Sequence, residues 1–162
     1  MGLLPHSTSL LAEMIYYVQA RREGVEDDMA DRDKLSIVVV DDNRLVLAQC
    51  ARLCESVAGI EVVGRAQNGA EAIREVKAKH PDLVLMDLVM PDIDGMTALR
   101  MMSRGLPGIR VIVVSSLGGS TKAAEEAFKL GAVAVLPKPV EPDALARILG
   151  AELERKQKGG HA

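Results

Sequence analysis

The sequence predicts an α/β fold: a doubly wound, five-stranded parallel sheet in the order 2-1-3-4-5, preceded by an N-terminal helical extension. Three observations carry that reading. From Leu35 onward, short aliphatic runs alternate five times with helical stretches, and each return to a parallel strand calls for a right-handed crossover. The runs are unbroken rather than alternating, which marks strands covered on both faces. Hydrophobic residues make up 48% of the chain but aromatics only 2%, so the core must be aliphatic, as suits helices laid on a buried sheet.

The elements follow in order. Leu35-Ser36-Ile37-Val38-Val39-Val40 is a strand by its β-branched content, with a helix expected over 44–57. Residues 60–66 form the second strand, and Asn68 begins a helix that runs to about Lys79 and ends at His80-Pro81. Leu83-Val84-Leu85-Met86 is the third strand, followed by a loop and a short helix near 96–102. Residues 109–114 make the fourth strand, with a helix over 121–130; residues 133–136 make the fifth. A helix over 141–156, opened by Pro142-Asp143, closes the pattern. The order 2-1-3-4-5 is that of flavodoxin-like sheets, whose ligand site lies at the carboxyl ends of the strands.

The chain divides at about residue 34. Leu10, Leu11, Met14, Ile15 and Val18 recur on one face of a helix expected over 7–23, and residues 24–34 read as an acidic linker. Residues 1–34 are thus an extension, 35–157 the main domain and 158–162 a disordered tail. The extension's helix reads equally as a dimerisation or partner helix, giving a homodimer, or as a helix packed on its own domain. Residues 1–34 hold four basic and seven acidic side chains, and the remainder sixteen of each. No basic face stands out, so nucleic-acid binding is not expected. No apolar run reaches the length of a membrane span, and no signal peptide is evident; a cytoplasmic location is expected. Cys50 and Cys54 lie four apart on one expected helix. They read as two small buried hydrophobes rather than half a metal site, because no further Cys completes one. His6, His80 and His161 show no ligand spacing.

The chemistry gathers where strands end. Strand 1 ends in Asp41-Asp42, strand 3 in Asp87, strand 4 in Ser115-Ser116, and strand 5 runs into Lys138-Pro139. Each alone reads as a turn or a helix cap. Together they bring three carboxylates, a hydroxyl and an ammonium to one edge of the sheet. Crowded carboxylates repel unless a cation sits among them, and hard oxygen ligands suit Mg2+ (or Mn2+). Phosphoryl transfer needs chiefly positioning and charge neutralisation, and a carboxylate can be its nucleophile.

On these residues the chain resembles the receiver domains of two-component response regulators, from about Leu35 to Lys156. The motifs are Val40-Asp41-Asp42-Asn43, Met86-Asp87-Leu88-Val89-Met90-Pro91-Asp92-Ile93-Asp94-Gly95, Val114-Ser115-Ser116 and Leu136-Pro137-Lys138-Pro139. The resemblance implies that Asp87 is the phosphoacceptor and that Asp42 ligates Mg2+ directly with Asp87. Asp41 would act mostly through water, and the Val89 backbone carbonyl would be a further ligand. Ser115 matches the switch hydroxyl, with Ser116 beside it, and Lys138 the phosphoryl-binding lysine. Lys138-Pro139 is expected cis, and Gly95 is the loop glycine. A histidine kinase or phosphotransfer protein would be the donor. A downstream protein would bind the face made by the fourth helix, fifth strand and fifth helix.

Three departures bear on output. Val135 stands where the family usually has Tyr or Phe; either it simply packs under the last helix, or the switch rests on Ser115 and the loop 117–122. Val89 and Leu117 are apolar where such domains use polar side chains to orient a hydrolytic water, which implies slow self-dephosphorylation. Val114-Ser115-Ser116-Leu117 and Leu130-Gly131-Ala132-Val133 resemble the receiver half of chemotaxis methylesterases. About twenty residues follow Lys138, so the esterase domain is not expected. The chain reads as a stand-alone receiver, as a fragment of a larger regulator, or as a degenerate receiver used as a constitutive scaffold. It is not read as an enzyme beyond its own phosphorylation and dephosphorylation.

Overall fold

The structure is a computed structural model that describes residues 33–91, 93–116 and 121–159. The extension helix expected over 7–23, most of its linker, the loop 117–120 and residues 160–162 lie outside the described residues. Five strands and five helices alternate: β1 (Leu35–Val40), α1 (Arg44–Glu55), β2 (Ile60–Ala66), α2 (Gly69–Lys79), β3 (Leu83–Asp87), α3 (Gly95–Gly105), β4 (Arg110–Ser115), α4 (Thr121–Lys129), β5 (Ala132–Pro137) and α5 (Pro142–Gly159). The sheet is parallel throughout, in the order β2-β1-β3-β4-β5. The flavodoxin-like reading therefore holds. Among the described residues no helix is long and apolar enough to cross a membrane.

Alternation along the strands divides the core into two layers. Val38, Val40, Val84, Met86, Val111 and Val113 face α2, α3 and α4, where Ala72, Val76, Leu99, Met102 and Ala127 meet them. Leu35, Ile37, Val39, Leu83, Leu85, Ile112 and Val114 face α1 and α5, meeting Leu47, Cys50, Cys54, Leu145 and Leu149. Both cysteines are buried and unpaired, as the sequence suggests. Burial, helped by the Glu55 carboxylate, pushes the Cys54 thiol up to about 12, so it packs as an inert hydrophobe.

Of the two readings open for Val135, packing under the last helix does not hold. It packs instead against the layer under α2, α3 and α4. The reason is the two-residue period of β5, which sends Ala134 and Leu136 to the α5 side. The helices also differ at their ends. α3 runs to Gly105 rather than stopping near Met102, and α5 continues to Gly159, past the helix end expected at 156. In both cases the added residues are mostly polar and exposed, so no apolar periodicity marks them.

The end of the sheet where the strands begin is strapped by ion pairs. Glu152 on α5 is nearly buried and receives two hydrogen bonds from the Arg110 guanidinium at the start of β4, one at 2.7 Å. Lys156 donates to Asp82 Oδ2 at 2.7 Å and to the Lys34 carbonyl at 2.6 Å. The same Asp82 oxygen accepts from the Ser36 amide and hydroxyl, both at 2.9 Å. Burial alone would raise the Glu152 carboxyl. The Arg110 guanidinium, helped by Arg155, outweighs it and holds that carboxyl below its ordinary value.

A carboxyl depressed in the folded state stabilises the fold fully above its unfolded pKa and loses that contribution as pH falls through the folded value. Glu152→Gln should therefore cost about 1–3 kcal/mol near neutrality. Urea melts at a series of pH values check this: the gap between wild type and variant should be constant above the ordinary carboxylate range and narrow below it. A gap that does not change with pH would show that the pair contributes no ionic stabilisation.

Candidate functional site

Each strand-end residue is set by the element that precedes it. β1 stops at Val40, and the Asp41 amide donates to the Ala66 carbonyl at the end of β2, 3.1 Å. Asp41 Oδ1 then accepts from the Asn43 amide at 2.9 Å. Asn43 caps α1 by accepting from Leu45 and Val46, as a side-chain oxygen at that position does. The acidic pair is thus held in a short turn between strand and helix. Asp41 is buried, whereas Asp42 is exposed.

Asp87 is the last residue of β3, is buried, and accepts from the Val89 amide through Oδ1 at 3.1 Å. The loop that follows is closed by the Gly95 amide donating to the Leu88 carbonyl at 2.9 Å, and Asp94 caps α3 by accepting from Thr97 at 2.7 Å. A Cβ on Gly95 would overlap the Asp87 carbonyl oxygen and the Leu88 Cα. Glycine is required there by the close approach of two backbones.

Lys138 completes the cluster from β5. Its Nζ donates to Asp41 Oδ2 at 2.7 Å and to Asp87 Oδ2 at 3.0 Å. Burial alone would depress the ammonium, but these two carboxylates outweigh it and hold it above its ordinary value. The Lys138-Pro139 bond is cis, as expected, and the Lys138 amide donates to the Ser115 carbonyl at 3.0 Å. Ser115 is buried at the end of β4, while Ser116 is exposed.

Asp41, Asp42 and Asp87 each offer an oxygen, and the three lie within 4.8 Å of one another. Three carboxylates against one ammonium leave a formal charge of −2. A hard divalent cation cancels that charge, and the all-oxygen donor set fits one. Asp41, Asp42, Asp87 and Lys138 thus come together, with Ser115 at the neighbouring strand end, whereas Val135 is partly buried against the core and Leu117 lies outside the described residues. The Val89 side chain is 51% exposed beside the acidic cluster. One residue next to the site was missed by sequence reasoning: Gly69, whose signal is the Asn68-Gly69 pair opening α2.

Comparison with known proteins agrees with this geometry. The family model described as "Response regulator receiver domain" matches residues 37–150. A curated relative, protein-glutamate methylesterase/protein-glutamine glutaminase 1 of Geobacter sulfurreducens, is 39% identical over 128 residues, covering 78% of this chain and 35% of the relative. The response regulator domain of Thermotoga maritima CheB superposes with a TM-score of 0.61 at 30% identity, covering 80% of this chain and 98% of that one. The CheX-CheY-BeF3-Mg+2 complex from Borrelia burgdorferi contains a chain matched with a TM-score of 0.67 at 27% identity, covering 72% and 88%. The chain spans about a third of the length of the curated relatives it matches.

Space around the glycines predicts opposite outcomes for two similar substitutions. Gly95→Ala meets backbone atoms that cannot give way and should cost about 3 kcal/mol. Gly150→Ala, in α5 with open space beside it, should instead gain about 0.5–1 kcal/mol. Urea denaturation of the two variants measures both signs.

Proposed function

The chain belongs to the response regulator receiver family, and on that premise we propose that Asp87 is its phosphoacceptor, loaded by a histidine kinase or phosphotransfer protein. The observation that carries this is the buried Asp87 carboxylate sharing one lysine with Asp41, beside a third carboxylate. An Asp87 oxygen bonds to phosphorus as the phosphorus–nitrogen bond of the donor's phosphohistidine breaks, and the bonding pair leaves with the imidazole. Lys138 offers a fixed cation to the phosphoryl oxygens, and the Ser115 hydroxyl a donor. Asp42, Asp87 and the Val89 carbonyl, with Asp41 through water, would hold Mg2+ (or Mn2+), which when bound supplies further neutralisation of those oxygens.

Phosphorylation then changes which partner binds. For the output surface we take α4, β5 and α5. What supports it is Phe128, the only Phe of the chain, which stands 52% exposed on α4. Residues 1–34 we take as an extension outside the receiver, and the location as cytoplasmic. The reading is of a signalling domain that catalyses only its own phosphorylation and slow dephosphorylation.

Incubation with acetyl phosphate and Mg2+ tests the acceptor. Intact mass should show one phosphoryl adduct, absent from Asp87→Asn and absent when EDTA replaces Mg2+. No adduct on the wild type would leave the constitutive-scaffold reading in its place. Val89, apolar and exposed beside Asp87, offers no hydrogen bond to a hydrolytic water, so the adduct should persist for minutes or longer. Decay within seconds would overturn that part.

A second reading has its own support: this chain spans about a third of relatives described as methylesterases. On it, these residues are the receiver portion of a longer regulator. The mass of the endogenous protein on an immunoblot decides between a stand-alone receiver and a fragment.

A further inference from the structure

Gly69 is buried at the first position of α2, beneath the loop that carries Val89. A Cβ placed on it would stand 2.7 Å from the Ile93 carbonyl oxygen, 2.8 Å from Ile93 Cγ2 and 2.9 Å from Ile93 Cβ. Two of those three atoms belong to the backbone or are fixed directly to it, so they cannot rotate aside. Ile93 therefore rests on the one residue type that lets it approach so closely. The loop is tied at its ends by the Gly95–Leu88 and Val89–Asp87 hydrogen bonds. It is also held by the Leu88 amide donating to the Val114 carbonyl at 3.0 Å and by the buried side chains of Leu88 and Met90, and its contact on Gly69 supports the far end of the loop.

The seat is itself locked. Asn68 Oδ1 accepts from the Glu71 amide at 2.8 Å, and Glu71 Oε2 accepts from the Gln67 amide at 2.8 Å, a reciprocal arrangement that fixes the start of a helix. One residue earlier, the Ala66 carbonyl accepts from the Asp41 amide at 3.1 Å. The same turn thus touches both halves of the acidic site. It is hydrogen-bonded to the Asp41-Asp42 turn and packed against the loop that follows Asp87.

We propose that the β2–α2 turn, through Gly69, is a positioning element that sets the spacing between the Asp41-Asp42 pair and the Asp87 loop. It thereby sets the affinity of the site for a divalent cation. The inference rests on the phosphoacceptor reading, since it concerns the metal that this reading calls for. Gly69 touches no reacting atom. It acts through the placement of the loop, and a carboxylate moved by a fraction of an ångström binds a small hard cation less well.

Calorimetric titration of the full chain with MgCl2 tests it, with thermal unfolding run on each variant. Gly69→Ala should weaken Mg2+ binding about tenfold. Ile93→Ala, which removes the side chain resting on Gly69 without any overlap, should weaken it severalfold. Gly64→Ala is the control: Gly64 lies on β2 away from the turn, and its Cβ would meet the Glu75 carboxylate of α2. That variant should lose some stability and keep its Mg2+ affinity within twofold.

Folded Gly69→Ala and Ile93→Ala proteins that bind Mg2+ as the wild type does would overturn the inference. If Gly69→Ala does not fold, unchanged affinity in Ile93→Ala overturns it alone. Failure of the inference and of the reading beneath it are distinguishable. A wild type that takes up no Mg2+ removes the metal-dependent acceptor reading, and this inference with it. A wild type that binds Mg2+, loses it in Asp87→Asn and keeps it in both seat variants removes the inference only.

Discussion

The repulsion among three carboxylates gathered at one edge of the sheet is the constraint around which the rest is arranged. Asp41 and Asp87 are both buried, and neither would be tolerated there as an isolated anion. Lys138 answers part of the charge by donating to both. Unlike charges at that separation in a half-buried site attract strongly enough to hold the three side chains as one unit. The remaining formal charge of −2 is what makes the edge receptive, first to a divalent cation and, on the proposed reading, then to a phosphoryl group. A second lysine would have halved that charge and left less for a ligand to neutralise.

Much of this was legible in the sequence because the doubly wound fold converts sequence order into place. Unbroken runs such as Ile37 to Val40 and Leu83 to Met86 can only be strands buried on both faces, and their carboxyl ends fall on one edge. Asp42, Asp87, Ser115 and Lys138 needed no distances to be grouped. The seat of Ile93 on Gly69 was not legible. It joins positions 24 residues apart through packing alone, and neither residue type announces the contact. The layer that Val135 joins was not legible for a different reason: the β4–β5 register shifts between Val111 and Ile112, and the two-residue period of β5 counts from that shift.

The two ends of the sheet are built on opposite principles. Where the strands begin, charges are satisfied: Arg110 with Glu152, and Lys156 with Asp82 and the Lys34 carbonyl, while Ser36 completes the shell of Asp82. Where the strands finish, charge is left over and the backbone is held by single hydrogen bonds such as Asp41 to Ala66 and Leu88 to Val114. A new charge added at the finishing end meets a structure whose other end resists displacement. On the proposed reading, movement would then be confined to the ends of β3, β4 and β5.

That confinement bears on how a small residue at 135 is compatible with signalling. An aromatic side chain would register a change at the site by swinging between buried and exposed positions. Val135 has one stiff rotatable bond and is packed in the layer that includes Ala127 of α4, so rotation offers little. Backbone displacement offers more. The Ser115 carbonyl accepts from the Lys138 amide at 3.0 Å, which joins the end of β4 directly to the residue whose side chain holds Asp41 and Asp87. Drawing the Ser115 hydroxyl toward a phosphoryl oxygen would pull on that bond, and with it on β5 and on the α4 flank that carries Phe128. The proposed readout is therefore a shift of strand and helix, for which two small packed residues, Val135 and Ala127, leave more room than an aromatic would.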